Sequence, residues 1–239
     1  MPRSIEVVSH CWNYSRLLAL QLSGFATAPP ERHELTATVF YCDEDRDTVG
    51  VLDFFLSLQV ERVRWRFLPL ERRYLLRRAI GRNNAALSTA ADVLVFTDCD
   101  YVYLDGAVDA IGDAVLSAGR PVLAYIRGHQ ASESHEAGDA VIESVAGPGI
   151  AKLDTSMFSE SRLARAIGGS QIVAGDWARA HGYIPRHARY HRPASEWKRT
   201  FEDAVFRRAS GLPSLPIDCQ SVYRVRHSKR GRFDIGVKL

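Results

Sequence analysis

Two aspartates, Asp98 and Asp100, stand one residue apart directly after the apolar run Val93–Phe96. A continuous apolar run of this length is typical of a central parallel strand that is covered on both faces. Residues two apart on an extended chain point in the same direction, so the two carboxylates can bind one hard cation together. The pattern therefore predicts a Mg²⁺ or Mn²⁺ site after a buried strand, although a polar strand-to-loop turn has the same composition.

The elements that must position this pair alternate along the chain. Strand-like runs lie near 5–9, 35–42, 63–67 and 93–96, and helical patterns follow the first three of them near 14–25, 49–58 and 71–89. This alternation predicts an α/β fold with a doubly wound, mostly parallel sheet, whose ligands bind beyond the carboxyl ends of the strands. The acidic pair occupies such an end.

The remainder of the chain is less regular. We expect a helix at 106–118, a strand at 121–127, a return to the sheet at 168–173 and a helix at 200–210. The polar, glycine-dotted segment 128–149 predicts a long loop, and loops of this length are usually functional or mobile. We therefore expect that segment either to cover a substrate as a lid or to be disordered.

Length and composition indicate an ordinary globular protein. The chain has 239 residues, of which 46% are hydrophobic and 25% charged, and this predicts a single domain with a sizeable core. No apolar stretch approaches the roughly 18 residues of a membrane span, and no secretory signal follows the first residues, so we expect a cytoplasmic protein. The four cysteines show no C-x-x-C spacing, so we expect reduced thiols and no zinc ribbon.

Positive charge is concentrated near the C-terminus. Residues 179–239 hold 14 Lys and Arg against 5 Asp and Glu, which leaves 17 against 23 in residues 1–178. A clustered positive charge attracts polyanions over about a Debye length. The pattern predicts an anionic ligand, an anionic lipid surface or nucleic acid near the C-terminal part, without choosing among them.

A second motif lies upstream of the acidic pair. Arg82-Asn83 precedes Asp98 by a helical segment and the apolar strand, and this arrangement resembles the R-N … D-x-D pattern of family 2 glycosyltransferases of the GT-A fold. The turn at 9–13 is similar to the first strand-to-helix turn of that family. The acidic segment 43–47 is similar to its region of base-binding aspartates.

The resemblance covers about residues 4–127 and implies a GT-A-like single domain, with a nucleotide-sugar-binding half at 1–127 and an acceptor-binding half at 128–239. The residues that it assigns to the nucleotide sugar are Ser9, Asp43, Asp45, Arg82, Asp98 and Asp100. Which acidic residue of the segment 43–47 faces the base stays open. Arg82 is also one of eight arginines between Arg62 and Arg82, inclusive, most of which must be solvated surface, so a surface role is its alternative.

The resemblance also implies a general base. Phe201-Glu202-Asp203 resembles the E-D motif of the family, in which the aspartate accepts the proton of the acceptor hydroxyl, and Glu202 would be its substitute or an acceptor ligand. The residues themselves offer a structural alternative. Thr200 and Asp203 have the spacing of an approximate capping box, in which both side chains bind free backbone N–H groups at the start of a helix.

A histidine near the C-terminus would complete the metal site. His227 resembles the C-terminal histidine that many GT-A enzymes use as a metal ligand, and a surface or hydrogen-bonded structural histidine is the alternative. The implied metal ligands are therefore Asp98, Asp100 and His227. Lys229, Arg230 and Arg232 could close over the diphosphate or form a solvated tail. A further basic cluster, a candidate for contact with the acceptor, consists of His181, His187 and His191 with Arg186, Arg189 and Arg192.

The resemblance implies an inverting glycosyltransferase that depends on Mn²⁺ or Mg²⁺ and moves a sugar from a UDP-sugar, or a GDP-sugar, to an unknown hydroxyl acceptor. A sugar-1-phosphate nucleotidyltransferase is the alternative enzyme, but residues 9–16 lack the glycine-rich basic loop of that class. A nucleic-acid-binding module would use the C-terminal charge, but we find no aromatic-studded RNA motif and no helix-turn-helix pattern and expect no nucleic acid partner. The basic C-terminal part leaves peripheral membrane contact open.

Overall fold

The computed structural model describes residues 3–197 and 200–228, and one mixed sheet runs through them. In chain order its strands are β1 (Ser4–His10), β2 (Glu34–Tyr41), β3 (Val63–Pro69), β4 (Val93–Phe96), β5 (Tyr101–Tyr103), β6 (Leu123–Ser132), β7 (Phe158–Arg162), β8 (Gln171–Ala174) and β9 (Ser214–Arg224). Their order across the sheet is β3-β2-β1-β4-β8-β6-β9-β5, and β7 pairs with β6. The strands β1 to β4 are parallel, whereas β8 runs antiparallel to β4.

Helices cover both faces of the sheet. They are α1 (Ser15–Thr27), α2 (Arg46–Leu56), α3 (Arg72–Leu75), α4 (Arg78–Ser88), α5 (Ala107–Leu116), α6 (His135–Glu143), α7 (Gly175–His181) and α8 (Glu202–Ala209), with short 3₁₀ turns at Thr155–Met157 and Ala188–Tyr190. Within the described ranges, none of these helices has the length and apolar character needed to cross a membrane.

The sheet has a hydrophobic core on each face, because successive side chains of a strand point to opposite faces. Val7 and Val95 belong to the core that also contains residues of α1, α2 and α5, whereas Val8 and Phe96 belong to the core with residues of α4, α7 and α8. A strand covered on both faces is apolar at every position, and β4 is buried throughout. The predicted α/β fold with a doubly wound, mostly parallel sheet is confirmed.

The single helix expected at 71–89 is divided in two. α3 ends at Leu75, and Arg77 has the non-helical angles φ −113° and ψ 83° before α4 begins at Arg78. This interruption places Arg78 in the first turn of α4. Arg82 follows one turn later on the same face of the helix.

The expectation of a long loop at 128–149 is wrong, because the first residues of this segment belong to β6 and α6 lies in its centre. The polar residues of β6 have partners on β9. Arg127 Nε donates to Asp218 Oδ1 at 3.0 Å, and Gln130 Nε2 donates to Gln220 Oε1 at 2.6 Å. These pairings join residues distant in sequence, which is why local hydrophobic periodicity did not indicate a strand.

Candidate active site

Asp98 follows β4 and is held by two arginines of α4. Arg78 donates from Nη1 to Asp98 Oδ1 at 2.6 Å, and Arg82 donates from Nη2 to the same oxygen at 3.2 Å. The two arginines can share one acceptor because residues four apart lie on the same face of a helix. The carboxylate after the central strand is thus fixed by two guanidinium groups.

Arg82 is fully buried, so the alternative of a solvated surface arginine is wrong. Its Nη1 donates to Tyr183 Oη at 3.1 Å, and its Nη2 donates to the Gly168 carbonyl at 2.6 Å. A buried charge needs such partners because its removal from water is otherwise very costly. Arg82 therefore ties the end of β4 to the segments that precede β8 and follow α7.

Arg78, which the sequence motifs did not indicate, links Asp98 to Glu202. Its Nε donates to Glu202 Oε1 at 3.1 Å. Burial alone would lower the pKa of Arg78, but the charges of Asp98 and Glu202 raise that pKa above its ordinary value and keep the guanidinium charged. The sequence signal that could have identified Arg78 is its position one helical turn before Arg82.

Glu202 is buried and faces Arg78. Burial alone would raise its pKa, but Arg78, the Thr200 hydroxyl and Arg82 outweigh burial and hold the pKa of Glu202 below its ordinary value. The approximate capping box is absent: the residue before α8 is Phe201, with a left-handed φ of 56° and no side-chain hydrogen bond to the helix. The Thr200 hydroxyl donates to Glu202 instead.

Asp203 is half-buried and lies beside Gly168. A Cβ on Gly168 would be 3.6 Å from the Cβ of Asp203 and 3.7 Å from Nη2 of Arg78. The backbone carbonyl of Asp203 accepts a hydrogen bond from Gln171 Nε2 at 2.9 Å, which fixes the start of α8 against β8. The two residues of the E-D motif therefore differ, since Glu202 is enclosed by charged partners and Asp203 is partly exposed.

His10 ends β1 beside the same arginines, and the sequence did not single it out. Its ring stacks on Phe40 with centroids 5.0 Å apart. Gly81 of α4 leaves room for the ring, since a Cβ there would lie 2.2 Å from His10 Nε2. Burial first, and then the charges of Arg82 and Arg78, lower the pKa of His10 well below its ordinary value, so the imidazole is neutral at pH 7.

The pairing of β5 with β9 places the segment that leads to His227 beside the backbone of Asp100. The Val225 N–H donates to the Asp100 carbonyl at 2.8 Å, and Arg224 Nε lies 3.7 Å from Asp100 Oδ2. His227 follows two residues after Val225, is buried, and meets the Tyr14 ring edge-on with centroids 5.0 Å apart. His227 is therefore not a surface histidine, and its segment lies against the residue after the acidic pair.

The donor set can be tested for its fit to a divalent cation. Across residues 3–197 and 200–228, no three His, Cys, Asp or Glu side chains are grouped to hold a metal ion, so Asp98, Asp100 and His227 do not form a three-ligand cage. Asp98 is engaged by its two arginines. A cation that binds with a diphosphate needs only one or two protein ligands, because phosphate oxygens and water complete its coordination. Asp100 and His227 fit that smaller set.

The other nucleotide-binding candidates lie near the end of β1 and after β2. Ser9 is buried and faces the opposite side of the sheet from His10, since neighbouring strand residues alternate. Asp45 is also buried, accepts a backbone N–H of the first turn of α2, and accepts the Asn13 N–H at 2.7 Å. Asp43 is exposed. Of the two aspartates, Asp43 is therefore the one open to a ligand.

The basic cluster at 181–192 does not converge on one point. His181 Nδ1 lies 2.8 Å from the Trp177 carbonyl, and His191 Nε2 lies 3.1 Å from the Ile184 carbonyl, so each ring contacts its own local backbone. The C-terminal residues Lys229, Arg230 and Arg232, expected to close over a diphosphate, lie outside the described residues.

Neither a protein-family model nor a curated protein sequence matches the chain. Solved structures do match it. The mannosyltransferase PcManGT from Pyrobaculum calidifontis, in complex with GDP-Man and Mn²⁺, is similar with a TM-score of 0.57 and 13% identity, over 96% of this chain and 59% of that one. S. aureus TarS 1–349 in complex with UDP is similar with a TM-score of 0.59 and 14% identity, over 92% of this chain and 60% of that one. A second structure of S. aureus TarS 1–349 is similar with a TM-score of 0.54 and 14% identity, over 93% of this chain and 60% of that one.

These similarities show the fold. The chain has the architecture of glycosyltransferase structures, and the GT-A-like fold expected from the motifs is confirmed. The chain spans about 60% of the length of the structures that it matches. At 13–14% identity the likeness is one of backbone architecture.

Proposed function

We propose that the chain is an inverting, divalent-cation-dependent glycosyltransferase that takes a sugar from a UDP- or GDP-sugar. The observation that carries the proposal is the end of β4, where Asp98 is fixed by Arg78 and Arg82 and Asp100 follows against β9. Ligands of doubly wound sheets bind at this edge. The similar structures support the donor class, because one is a complex with GDP-Man and Mn²⁺ and another is a complex with UDP.

We assign the cation to Asp100 and His227, together with the diphosphate of the donor. When bound, the cation would neutralise the charge that develops on the leaving diphosphate. Arg224 lies beside the Asp100 carboxylate and orients it. The buried position of His227 restricts its ring to few orientations.

Arg78 and Arg82 are assigned as positioning residues. Arg82 has no exposed surface, and its two Nη groups donate to Asp98, the Gly168 carbonyl and Tyr183, so it acts on the donor through Asp98. Arg78 joins the same carboxylate to α8. Together they fix the position of α8, which carries the E-D motif, relative to Asp98 at the end of β4.

Asp43, which follows β2, is assigned to the nucleotide base. It is exposed directly after β2, where a ligand at the strand ends can reach it. Asp45 supports this region differently, because its carboxylate joins α2 to the turn after β1. Ser9 lies buried under that turn.

Asp203 is assigned as the general base. In a single displacement the acceptor oxygen bonds to the anomeric carbon while the bond from that carbon to the diphosphate oxygen breaks, and its electron pair leaves with the diphosphate. The proton of the acceptor hydroxyl passes to the Asp203 carboxylate. Glu202 is less suited to this role because Arg78 and Thr200 already bind it and lower its pKa.

Nucleotide binding with and without the cation tests the proposal. We expect UDP or GDP to bind more tightly with Mn²⁺ than without it in titration calorimetry, and Asp100→Ala to remove this difference. Asp105→Ala changes an exposed aspartate nearby and should retain it.

Three results would contradict the proposal in different ways. Equal affinity with and without Mn²⁺ in the unmodified protein would refute the role of the cation. Failure of UDP, GDP, dTDP and CDP to bind at all would refute the function. Synthesis of a nucleotide sugar from a nucleoside triphosphate and a sugar 1-phosphate would identify a nucleotidyltransferase instead.

A further inference from the structure

A cleft of about 680 Å³ opens beside α8. Three arginines line it, Arg77, Arg189 and Arg208, and none of the described residues that line it is acidic. The clustered cations give this cleft a positive potential that favours a negatively charged ligand. Neither the cation nor the nucleotide of the proposed donor is assigned to any of its residues.

The cleft adjoins the start of α8. Phe201, which precedes the helix, and Ala204, Val205 and Arg208 on the helix line the cleft. Thr200 also lines it, and its hydroxyl donates to Glu202, which binds Arg78. The cleft therefore adjoins the helix that carries Asp203, next to the Arg78 ion pair.

The two consecutive arginines at the start of α4 also diverge. Arg78 reaches Asp98 and Glu202, whereas Arg77 lines the cleft. In the part of the chain that the structure describes, the Nε of Arg77 is buried and makes no hydrogen bond. The charge of Arg77, which lines the cleft, is therefore not offset at this nitrogen by an acceptor among the described residues.

The charges of the other two cleft arginines are likewise not offset by an acidic partner. Arg189 stacks on the Tyr190 ring at 4.6 Å and donates to its hydroxyl at 2.6 Å, which orients the guanidinium without neutralising it. Arg208 is exposed on α8. Among residues 3–197 and 200–228, no carboxylate forms an ion pair with Arg77, Arg189 or Arg208.

We propose that this cleft binds an oxyanion of the acceptor, so that the acceptor is a hydroxyl compound that carries a phosphate or a carboxylate. Arginine forks match the oxygens of both groups, and charge-assisted bonds to them are strong. The inference rests on the proposed function, since only a transferase has an acceptor. An anion held in the cleft places the rest of the same molecule next to the helix that carries Asp203.

Titration calorimetry with three small probes tests the inference: glycerol 3-phosphate, glycerate and glycerol. We expect at least one of the two anions to bind and neutral glycerol not to bind. The double variant Arg189→Gln, Arg208→Gln should weaken binding of that anion by about tenfold or more, because two charged hydrogen-bond donors of the cleft are lost. The double variant Arg120→Gln, Arg165→Gln is the matched control, because it removes the same two charges from exposed arginines that do not line the cleft.

Each of the other outcomes contradicts either the anion site or the proposed transferase function. Equal binding of glycerol and both anions, no binding of either anion, or an equal loss in the control Arg120→Gln, Arg165→Gln would overturn the anion site. An equal loss of UDP affinity in the double variant Arg189→Gln, Arg208→Gln would assign the cleft to the donor and would also overturn it. If no nucleotide binds but the anion still depends on Arg189 and Arg208, the transferase proposal fails while the anion site stands.

Discussion

Glu202 and Asp203 are adjacent in the chain, yet their carboxylates meet different surroundings. Glu202 is bound by Arg78 and the Thr200 hydroxyl, whereas Asp203 is half-buried beside Gly168. We expect Asp203→Asn to preserve the fold and donor affinity but to lower kcat by about 10²- to 10⁴-fold, because an amide cannot take the acceptor proton. Initial rates with an acceptor, or of donor hydrolysis, measure this effect.

Glu202→Gln is the matched comparison for that variant. It should lower the free energy of unfolding by about 1–3 kcal/mol, because a charged hydrogen bond to the buried Arg78 is lost. Its kcat should fall less than that of Asp203→Asn, and urea unfolding of both variants separates stability from catalysis. A loss under about tenfold in Asp203→Asn would remove that residue as the base. A large loss confined to Glu202→Gln would assign the role to Glu202.

Single residues could be predicted from the sequence where their signal is local. Asp98 and Asp100 follow one another at the end of an apolar strand, and the motif is complete within a few residues. For Arg78 the only local signal is its position one helical turn before Arg82, because its partner Glu202 is 124 residues away. His10 was missed for the same reason: its burial depends on a helix that begins far along the chain.

At the scale of elements, α4 packs against β1 through Gly81. A Cβ at this position would lie 2.2 Å from His10 Nε2 and 3.0 Å from Phe40 Cδ2. We expect Gly81→Ala to lower the free energy of unfolding by about 1–3 kcal/mol, because overpacking at this contact outweighs the better helix propensity of alanine. Nucleotide affinity should fall too, since the same helix carries the two arginines that hold Asp98.

A glycine on another helix provides the control. Gly50 in α2 has only Pro148 Cγ near the position of a Cβ, at 3.5 Å, which is an ordinary contact. Gly50→Ala should therefore raise the free energy of unfolding by up to about 1 kcal/mol through helix propensity alone. Denaturant unfolding of both variants compares them directly. Equal effects in the two would show that α4 does not depend on close approach to β1.

Elements were predictable where their own residues carry a regular apolar pattern. The parallel strands β1 to β4 and their helices follow one another along the chain, and each has a clear apolar period. The second half is built differently. β9 pairs with β5 and β6, which precede it by about a hundred residues, and the strength of such a strand comes from neighbours that no local window contains.

Across the whole molecule, buried titratable groups connect stability to pH. His10 and His129 are both buried, and burial lowers the pKa of each below the ordinary value of 6.5. In the unfolded chain these rings bind protons near pH 6.5 that the folded protein does not bind, so the free energy of unfolding falls as the pH decreases below that value. Glu202 acts in the same direction at lower pH. Its contribution is lost as the pH falls from its ordinary value of 4.5 through its lowered pKa.

Replacing the His10 ring tests whether this residue contributes to the decline in the free energy of unfolding below pH 6.5. Each fully neutral buried histidine contributes a slope of up to about 1.4 kcal/mol per pH unit. His10→Phe keeps an aromatic ring against Phe40 and removes the group that faces Arg78, Arg82 and Asp98. Urea unfolding of this variant at several pH values between about 5 and 8 should therefore show a shallower decline than the unmodified protein. His135→Gln, at an exposed histidine, should leave the decline unchanged. An unaltered slope in His10→Phe would mean that the folded protein protonates His10 as readily as the unfolded chain, with Asp98 offsetting both burial and the two arginines.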